Sequence, residues 1–267
     1  MPREVTAFSN TTVKRLRSLR DKKARKEEGL FLAEGLRIIT EARDSGQLPE
    51  IVMFSAEGAR HPLAAEIIAA TEAAGGDAIE TTPDILSKTS GKDNPQMLLG
   101  AYKQPDTSLA AIDRSYAPLW FVAQALRDPG NIGTILRTGD AVGAGGLILI
   151  DDSADPYSVE AVRASMGAIF TQKVAKASWS EFVTWLRSGA GQLVGTSLKA
   201  TQDYLEVDYV PPSFLLIGNE QQGLPPAYEE ECDLLVRIPM AGRADSLNAA
   251  IAAAVMAFQV KASWRGR

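Results

Sequence analysis

The strongest constraint on the fold is a series of short, almost wholly apolar runs in the second half of the chain, separated by segments with helical periodicity. Such runs are typical of strands buried on both faces, and their alternation with helices predicts a parallel sheet covered by helices. Ligands of such sheets bind beyond the carboxyl ends of the strands, so the loops that follow the runs are the candidate functional positions. The runs are LWFVAQAL (119–126), GLILI (146–150), QLVGTSL (192–198), FLLIGNE (214–220) and LLVRIPM (234–240).

A second α/β pattern occupies the first part of the chain. GLFLAEGLRIITEARDSG is typical of a strand that leads into a helix, PEIVMFS and QMLLGAY of strands, and HPLAAEIIAATEAAGG of an alanine-rich helix that ends at glycines. The pattern predicts a compact α/β domain over residues 1–104, a polar linker over 105–117 and a second domain over 118–267. A length of 267 residues is sufficient for two such domains.

The composition of the chain argues against several kinds of functional site and against a membrane or secreted location. Cys232 and His61 are the only cysteine and histidine, which excludes zinc sites built from several of these residues. An enzyme built from this chain is expected to move protons without imidazole, so a Ser-His-Asp triad is not expected. We expect no metal. No apolar run reaches the roughly 18 residues of a membrane helix, and the N-terminus lacks the apolar core of a signal peptide. A single cysteine fits a reducing compartment, so a cytoplasmic protein is expected.

One segment near the N-terminus is strongly basic although the formal net charge of the chain is −5. TTVKRLRSLRDKKARKEEG (11–29) contains many cations and few acids. One interpretation is a solvated helix face, and the other is an arm that contacts phosphates, which the excess of one sign favours. The candidate phosphate-contacting side chains are Lys14, Arg15, Arg17, Lys22 and Lys23.

Three of the predicted strands end in unusual loops. These loops are RDPGNIGTILRTGD (127–140), LLIGNEQQGLP (215–225) and IPMAGRADSLNAAIAAA (238–254). Taken singly, each has an ordinary interpretation as a turn or a helix start, with Asn131 and Ser246 as expected N-caps. Because all three should meet at one sheet edge, together they bring a guanidinium, a carboxylate, a hydroxyl and two amides to one place. One apolar face of the last helix is predicted at Leu247, Ile251, Val255 and Phe258.

In this order the three loops resemble the motifs of the SpoU (TrmH-type) branch of the SPOUT RNA methyltransferases. The resemblance covers roughly residues 118–262, and FLAEGLRIITEA and NPQMLLGAY further resemble the substrate-binding domain, similar to a ribosomal protein, that often precedes them. It implies an S-adenosylmethionine-dependent 2′-O-ribose methyltransferase. It also implies a deep trefoil knot around the cofactor pocket, a rare feature among folds, and a homodimer with the active site near the subunit interface.

The resemblance also assigns roles to individual residues. It implies catalytic roles for Asn131, Arg137, Glu220, Ser246 and Asn248. It implies a cofactor pocket formed by Thr196, Ser197, Gly218, Asn219, Glu220, Ile238, Met240, Ser246 and Leu247. Members of the family are proposed to use the arginine as the base for the 2′-hydroxyl. A guanidinium with a pKa above ~12 normally stays protonated, so binding of the adjacent phosphate is the alternative for Arg137.

The implied substrate is RNA, with ribosomal RNA favoured and transfer RNA left open. In VRASMGAIF (162–170), Arg163 or Ser165 is a candidate RNA contact, and an amphipathic helix with Val162, Met166 and Ile169 inward is the alternative. A non-catalytic RNA-binding protein of the same fold would not need all five catalytic candidates. A nicotinamide-dependent oxidoreductase would need a third glycine that DPGNIGTILR lacks. Methylation of a base is less consistent with the SLN motif than methylation of a ribose.

Overall fold

A computed structural model describes residues 2–265 as an alternation of strands and helices. The strands are β1 (Arg3–Val5), β2 (Leu30–Glu34), β3 (Ile51–Phe54), β4 (Asp77–Thr81), β5 (Leu98–Lys103), β6 (Leu119–Gln124), β7 (Gly146–Ile150), β8 (Lys173–Ala177), β9 (Gln192–Thr196), β10 (Gln202–Asp203), β11 (Ser213–Ile217) and β12 (Leu234–Arg237). The α-helices are α1 (Thr11–Ser18), α2 (Lys22–Glu28), α3 (Leu36–Asp44), α4 (Ala56–Arg60), α5 (Pro62–Ala73), α6 (Pro83–Ser90), α7 (Pro129–Val142), α8 (Val159–Ser165), α9 (Trp179–Arg187), α10 (Pro226–Glu230) and α11 (Ala249–Ser263).

The chain divides into two compact units, and each unit contains two separate segments of the sequence. The first unit contains residues 1–105 together with 155–171, and the second contains 106–154 together with 172–267. The chain therefore leaves the second unit after β7, contributes α8 to the first unit, and returns at β8. Residues 106–117 belong to the second unit, where Arg114 lies over the ring of Trp185 at 4.1 Å.

The first unit has a five-stranded mixed sheet in the order β1-β4-β3-β5-β2. Strands β1, β4 and β3 run parallel, and β5 pairs antiparallel with both β3 and β2. Leu16 of α1, Met53 of β3 and Ile79 of β4 lie in its main core. The sequence patterns for β2, β3, β5, α3 and α5 are confirmed, whereas no pattern was assigned to β1 or β4.

A buried ion pair attaches residues 155–171 to the rest of the first unit. The Nε and Nη2 groups of Arg25 both donate to Oδ2 of Asp155, at 2.9 and 2.7 Å, and its Nη1 donates to the carbonyls of Leu19 and Arg20. The side chain of Arg25 is only 4% exposed and that of Asp155 is 10% exposed. Arg25 thus closes the turn between α1 and α2 from the inside, so it is a structural residue although it belongs to the basic segment.

The second unit has a seven-stranded sheet in the order β10-β12-β9-β11-β6-β7-β8. All its neighbouring strands pair in parallel, which confirms the predicted parallel sheet. Trp120, Phe182 and Phe214 are fully buried in its core. Because every strand runs the same way, the loops after β6, β9, β11 and β12 all lie at one edge of the sheet.

Two predictions about helix starts are wrong. Helix α7 is capped by Asp128, whose side chain accepts from the Gly130 N–H, and Asn131 lies inside the first turn. Helix α11 is capped by Asn248 rather than by Ser246, because the Asn248 side chain accepts from the N–H groups two and three residues later. Asn248 is thus the N-cap residue, and it is exposed although its side chain is hydrogen-bonded.

The last helix buries a different face from the one that its large apolar residues mark. Ala253, Met256, Ala257 and Val260 are fully buried, where α11 packs against α7 and β11. Ile251 and Phe258 remain 53% and 55% exposed. Small alanines allow two helices to approach closely, so the alanine stripe lies inward and the larger side chains point outward.

We expect Arg25→Ala to lower the free energy of unfolding of the first unit by about 3–5 kcal/mol, because Asp155 is left buried without its cation. Lys26→Ala is the matched control, since Lys26 is the next residue and is exposed. Urea denaturation followed by circular dichroism, with hydrogen exchange of α2 and α8, measures the effect. A loss no larger than that of Lys26→Ala would contradict this role.

Candidate active site at the carboxyl edge of the parallel sheet

Side chains from three loops form one hydrogen-bonded chain at the carboxyl edge of the second sheet. Asn248, at the start of α11, donates from Nδ2 to Oδ1 of Asn131 at 2.9 Å. Asn131, in α7, donates from Nδ2 to Oε1 of Glu220 at 3.0 Å. The structure thus brings together three of the five predicted catalytic residues, one from each motif.

The helix cap decides how both amides are oriented. Oδ1 of Asn248 accepts from the N–H groups of Ala250 and Ile251, at 2.9 and 3.3 Å, so only its Nδ2 group is free to donate to Asn131. Asn131 must then present its oxygen to Asn248 and its Nδ2 group to Glu220. The start of α11 therefore fixes the donor that faces the carboxylate.

Glu220 is held in its ionised form. Burial raises the pKa of the Glu220 carboxyl, but the Asn131 amide and backbone N–H groups together outweigh burial and lower the pKa below its ordinary value. The N–H groups of Arg127 and Asp128 are 3.4 and 3.5 Å from the carboxylate oxygens. A carboxylate with a lowered pKa is a weak base, and its chemistry is that of a fixed negative charge and hydrogen-bond acceptor.

Asn219 and Gly218 shape the loop that carries Glu220. Asn219 donates from Nδ2 to the carbonyl of Ala125 at 2.8 Å, and its Oδ1 accepts from the Gln221 N–H at 2.9 Å. A Cβ atom at Gly218 would lie 2.5 Å from the carbonyl carbon of Gly223, so only glycine fits where the loop folds back. The Asn219 side chain is thus occupied in joining the loop after β11 to the end of β6.

One cavity of about 380 Å³ collects the residues predicted to bind the cofactor. Its wall combines apolar side chains with hydroxyl groups and backbone from the loops after β9, β11 and β12. The predicted residues that line it are Thr196, Ser197, Gly218, Asn219, Glu220, Ile238, Met240, Ser246 and Leu247. The Ser197 hydroxyl donates to Oε1 of Glu229 at 2.5 Å, which holds the end of β9 against α10.

A larger cavity, of about 820 Å³, adjoins the first and is more polar. Asn131, Glu220 and Asn248 all line it. The two cavities share Lys199 and residues 219–224, so the loop that carries Glu220 forms a common wall. Ser246 lines only the smaller cavity.

Arg137 lies apart from these side chains. It is exposed on α7, six residues after Asn131, and it lines neither cavity. Cys232 also lines neither, and burial raises the pKa of its thiol to about 12, so it is not a nucleophile here. Across residues 2–265, no group of three or more histidine, cysteine or acidic residues is arranged to hold a metal ion.

The predicted RNA-contacting residues of the first unit differ in their surroundings. Lys14, Arg17 and Lys22 are exposed. Lys23 is exposed 3.9 Å from Glu27, and Arg15 donates to Glu28 at 2.8 Å.

The segment 162–170 is mostly buried within the first unit. Arg163 is partly exposed and lies 3.4 Å from Glu34. The prediction of Ser165 as an alternative RNA contact is wrong, because Ser165 is fully buried and its hydroxyl donates to the carbonyl of Val162. Val162 and Ile169 are buried, as the alternative interpretation predicted. Met166 is only partly buried, because α8 ends at Ser165 and Met166 follows it with a positive φ.

Sequence patterns did not identify Gln124 and Lys199 as site residues. Gln124 is the last residue of β6 and lines the larger cavity. Lys199 follows β9 on a turn and lines both cavities. A single lysine or glutamine outside the motif loops carries no signal by itself, although its position just after a predicted buried strand could have drawn attention to it.

No helix of the described chain is long and apolar enough to cross a membrane.

Comparison with known proteins finds relatives over the whole chain. The model of the SpoU rRNA Methylase family matches residues 118–258, and that of the MRM3-like substrate binding domain matches residues 10–100. The 23S rRNA (uridine(2479)-2′-O)-methyltransferase of Streptomyces viridochromogenes is 33% identical over 90% of this chain and 85% of its own length. The 23S rRNA (guanosine(2553)-2′-O)-methyltransferase of Bacillus subtilis is 28% identical over 97% of this chain and 99% of its own.

Solved structures agree with these relatives. An rRNA methyltransferase from Sinorhizobium meliloti, solved with AdoMet bound, is 40% identical and superposes with a TM-score of 0.91 over 98% of both chains. AviRb from Streptomyces viridochromogenes, a SpoU methyltransferase, is 30% identical with a TM-score of 0.87 over 97% of this chain and 99% of its own. The α/β fold and the parallel sheet are thus those of known relatives, and the chain belongs to the SpoU rRNA methylase family.

Proposed function

We propose that this protein transfers a methyl group from S-adenosylmethionine to a ribose 2′-hydroxyl of RNA, with ribosomal RNA as the substrate. The observation that carries the proposal is the pair of adjoining cavities with Glu220 in their common wall. A methyl donor and a nucleotide must meet within bonding distance, and two connected cavities provide separate places for them. The full-length relatives are named as 23S rRNA 2′-O-methyltransferases, which favours ribosomal over transfer RNA.

The smaller cavity fits the cofactor. Its volume of about 380 Å³ lies within the usual range of small-molecule pockets, and it joins apolar side chains to a few polar groups. Ile238, Met240 and Leu247 would contact the adenine, while Thr196, Ser246 and backbone groups would bind the polar parts. When bound, the cofactor supplies an electrophilic methyl group on a positively charged sulfur.

The Asn131–Glu220 pair would orient the ribose. The ionised Glu220 carboxylate faces both cavities, so it is placed to accept a hydrogen bond from a hydroxyl bound in the larger one. Asn131 keeps that carboxylate in position and Asn248 keeps Asn131 in position. Glu220 is a weak base for the reason given above, and its proposed role is to align the hydroxyl oxygen.

Arg137 has a separate proposed role. Because an arginine side chain has hydrogen-bond donors and no acceptor, we assign Arg137 to binding RNA and stabilising developing negative charge rather than to accepting the hydroxyl proton. That proton would leave to phosphate or water. Because Arg137 lines neither cavity of a single chain, this role requires that RNA or a second subunit lie over the exposed side of α7.

The first unit would recognise the RNA. Residues 1–104 contain α1 and α2, where Lys14, Arg17, Lys22 and Lys23 are exposed and would contact phosphates. Arg163 belongs to the same unit and lies partly exposed beside Glu34. Residues 118–267 would carry out methyl transfer. With ribosomal RNA as its substrate, the protein would act in the cytoplasm.

We also propose that the second unit contains a deep trefoil knot and forms a homodimer. The insertion of β11 between β6 and β9, with β12 beyond β9, supports a knotted path. The outward face of α11 supports a dimer, since Ile251 and Phe258 are more than half exposed there. Large apolar side chains exposed on one helix are typical of an interface.

Asn248→Asp and Asn248→Ala separate the two roles of this residue. Aspartate caps a helix as well as asparagine does, so we expect stability to be nearly unchanged, whereas alanine costs about 1 kcal/mol. Both variants lose the donor to Asn131, so both should show turnover lowered about 10- to 100-fold. Thermal unfolding and incorporation of labelled methyl groups into ribosomal RNA measure the two effects. Wild-type turnover in Asn248→Asp would contradict the proposed chain.

A charge on the outward face of α11 tests the dimer. We expect Ile251→Glu to convert a dimer into a monomer, because a buried unpaired carboxylate strongly disfavours an apolar interface. Light scattering after size exclusion measures the mass. Glu160→Gln, an exposed change in the first unit, is the control. A monomeric wild-type protein, or a dimer that survives Ile251→Glu, would show that this face is not the interface.

A further inference from the structure

Lys199 occupies a position that no other cation in the described chain shares. It lines both the cavity assigned to the cofactor and the larger cavity beside it. It is the one cationic residue around the smaller cavity, and Arg127 is the other around the larger one. Arg127 is already paired with Asp152 at 2.5 Å. Within residues 2–265, the Lys199 ammonium has no ion-pair or hydrogen-bond partner.

The backbone that carries Lys199 is fixed. Its N–H donates to the Ser197 hydroxyl at 3.2 Å, and that hydroxyl donates in turn to Glu229. The Ser197 N–H donates to the carbonyl of Val236 in β12, and Ala200 is buried. Lys199 therefore extends from an anchored turn at the carboxyl edge of the sheet.

The carboxylates around the larger cavity would repel an RNA phosphate unless a cation lies close to them. Glu220 is ionised, and Asp128 adds a second carboxylate to the lining. An RNA nucleotide brings the negative charge of its phosphodiester into this acidic surrounding. A cation close to Glu220 would offset that charge, and Arg137 does not line the cavity.

The chemistry of ribose fixes how close that cation must be. The 2′-hydroxyl and the 3′-phosphodiester are attached to neighbouring carbons of one ring. A side chain that binds the phosphate must therefore lie beside the group that aligns the hydroxyl. Glu220 and Lys199 meet this condition, since both line both cavities.

We propose that Lys199 binds the phosphate adjoining the target ribose and so positions the 2′-hydroxyl for methyl transfer. The inference rests on the proposed function and adds to it a positioning residue for the RNA. The cofactor carboxylate is the competing anion. The smaller cavity is lined by the carboxylates of Glu220, Glu229 and Asp245 and by the single cation Lys199, whereas two carboxylates and two cations line the larger one. Binding of an anion is therefore opposed more strongly in the smaller cavity.

The test compares Lys199→Ala, Lys199→Arg and Lys173→Ala. Lys173 is an exposed lysine of the same unit at the first residue of β8, at the opposite edge of the parallel sheet, so it is a matched control. The RNA is unmodified 23S ribosomal RNA transcribed in vitro. Methyl transfer gives KM and kcat, filter binding gives the affinity for RNA at several KCl concentrations, and equilibrium dialysis gives the affinity for S-adenosylmethionine.

We expect Lys199→Ala to raise KM for RNA about 3- to 10-fold, because a phosphate contact is lost, and also to lower kcat, because the 2′-hydroxyl is no longer held in place. The dependence of log affinity on log salt should become shallower by about 0.7 to 1, as the loss of one phosphate contact requires. Lys199→Arg should restore the wild-type slope because it keeps the charge. Lys173→Ala should resemble the wild type, and affinity for the cofactor should be unchanged in every variant.

Two results would overturn the proposal. An unchanged salt slope and KM in Lys199→Ala would show that no phosphate is bound there. Weaker binding of S-adenosylmethionine with unchanged RNA affinity would assign Lys199 to the cofactor carboxylate instead. If the wild-type protein binds this RNA but methylates none, the proposed function fails, and the salt slope from filter binding still decides the role of Lys199.

Discussion

The arrangement of the site depends on the side chain of Asn248. Its oxygen caps α11 and its Nδ2 group donates to Asn131, which in turn donates to Glu220. A helix N-terminus has backbone N–H groups without intrahelical partners, and a capping amide satisfies them with one end only. The Nδ2 group of Asn248 is then left to donate to Asn131. A local requirement of secondary structure thus sets the direction of a hydrogen-bonded chain that joins three loops far apart in sequence.

The parallel sheet makes this convergence possible. Because the strands of the second unit all run in one direction, each loop that follows a strand starts at the same edge. The sequence was sufficient to predict this, since short, almost wholly apolar runs separated by helices allow few other arrangements. It also predicted the residues around the smaller cavity, through the resemblance of the three motifs. Whether those residues bind S-adenosylmethionine in this protein stays a prediction.

Other features depend on contacts that sequence patterns do not contain. Ser246 and Asn248 are both good N-caps, and the contact with Asn131 identifies Asn248 as the cap. Helix α11 is apolar on nearly every side, so the face predicted from periodicity was wrong, and Ile251 and Phe258 are exposed while Met256 and Val260 are buried. Strand β8 is short, lies at a sheet edge and alternates lysine with valine and alanine, which gives only a weak strand pattern. Residues 155–171 join the first unit through contacts between positions far apart in sequence, such as the ion pair between Arg25 and Asp155, 130 positions apart, and the packing of Tyr157 on Phe31.

The most direct test of the account is to locate the methyl group. Purified protein would be incubated with labelled S-adenosylmethionine and total RNA from a strain that lacks its gene, and 2′-O-methyl groups would be mapped by their resistance to alkaline cleavage. The account predicts one new protected position in large-subunit ribosomal RNA. If neither total RNA nor immature ribosomal particles from the same strain acquire label, although the protein binds the cofactor, the protein is not the ribose methyltransferase proposed here.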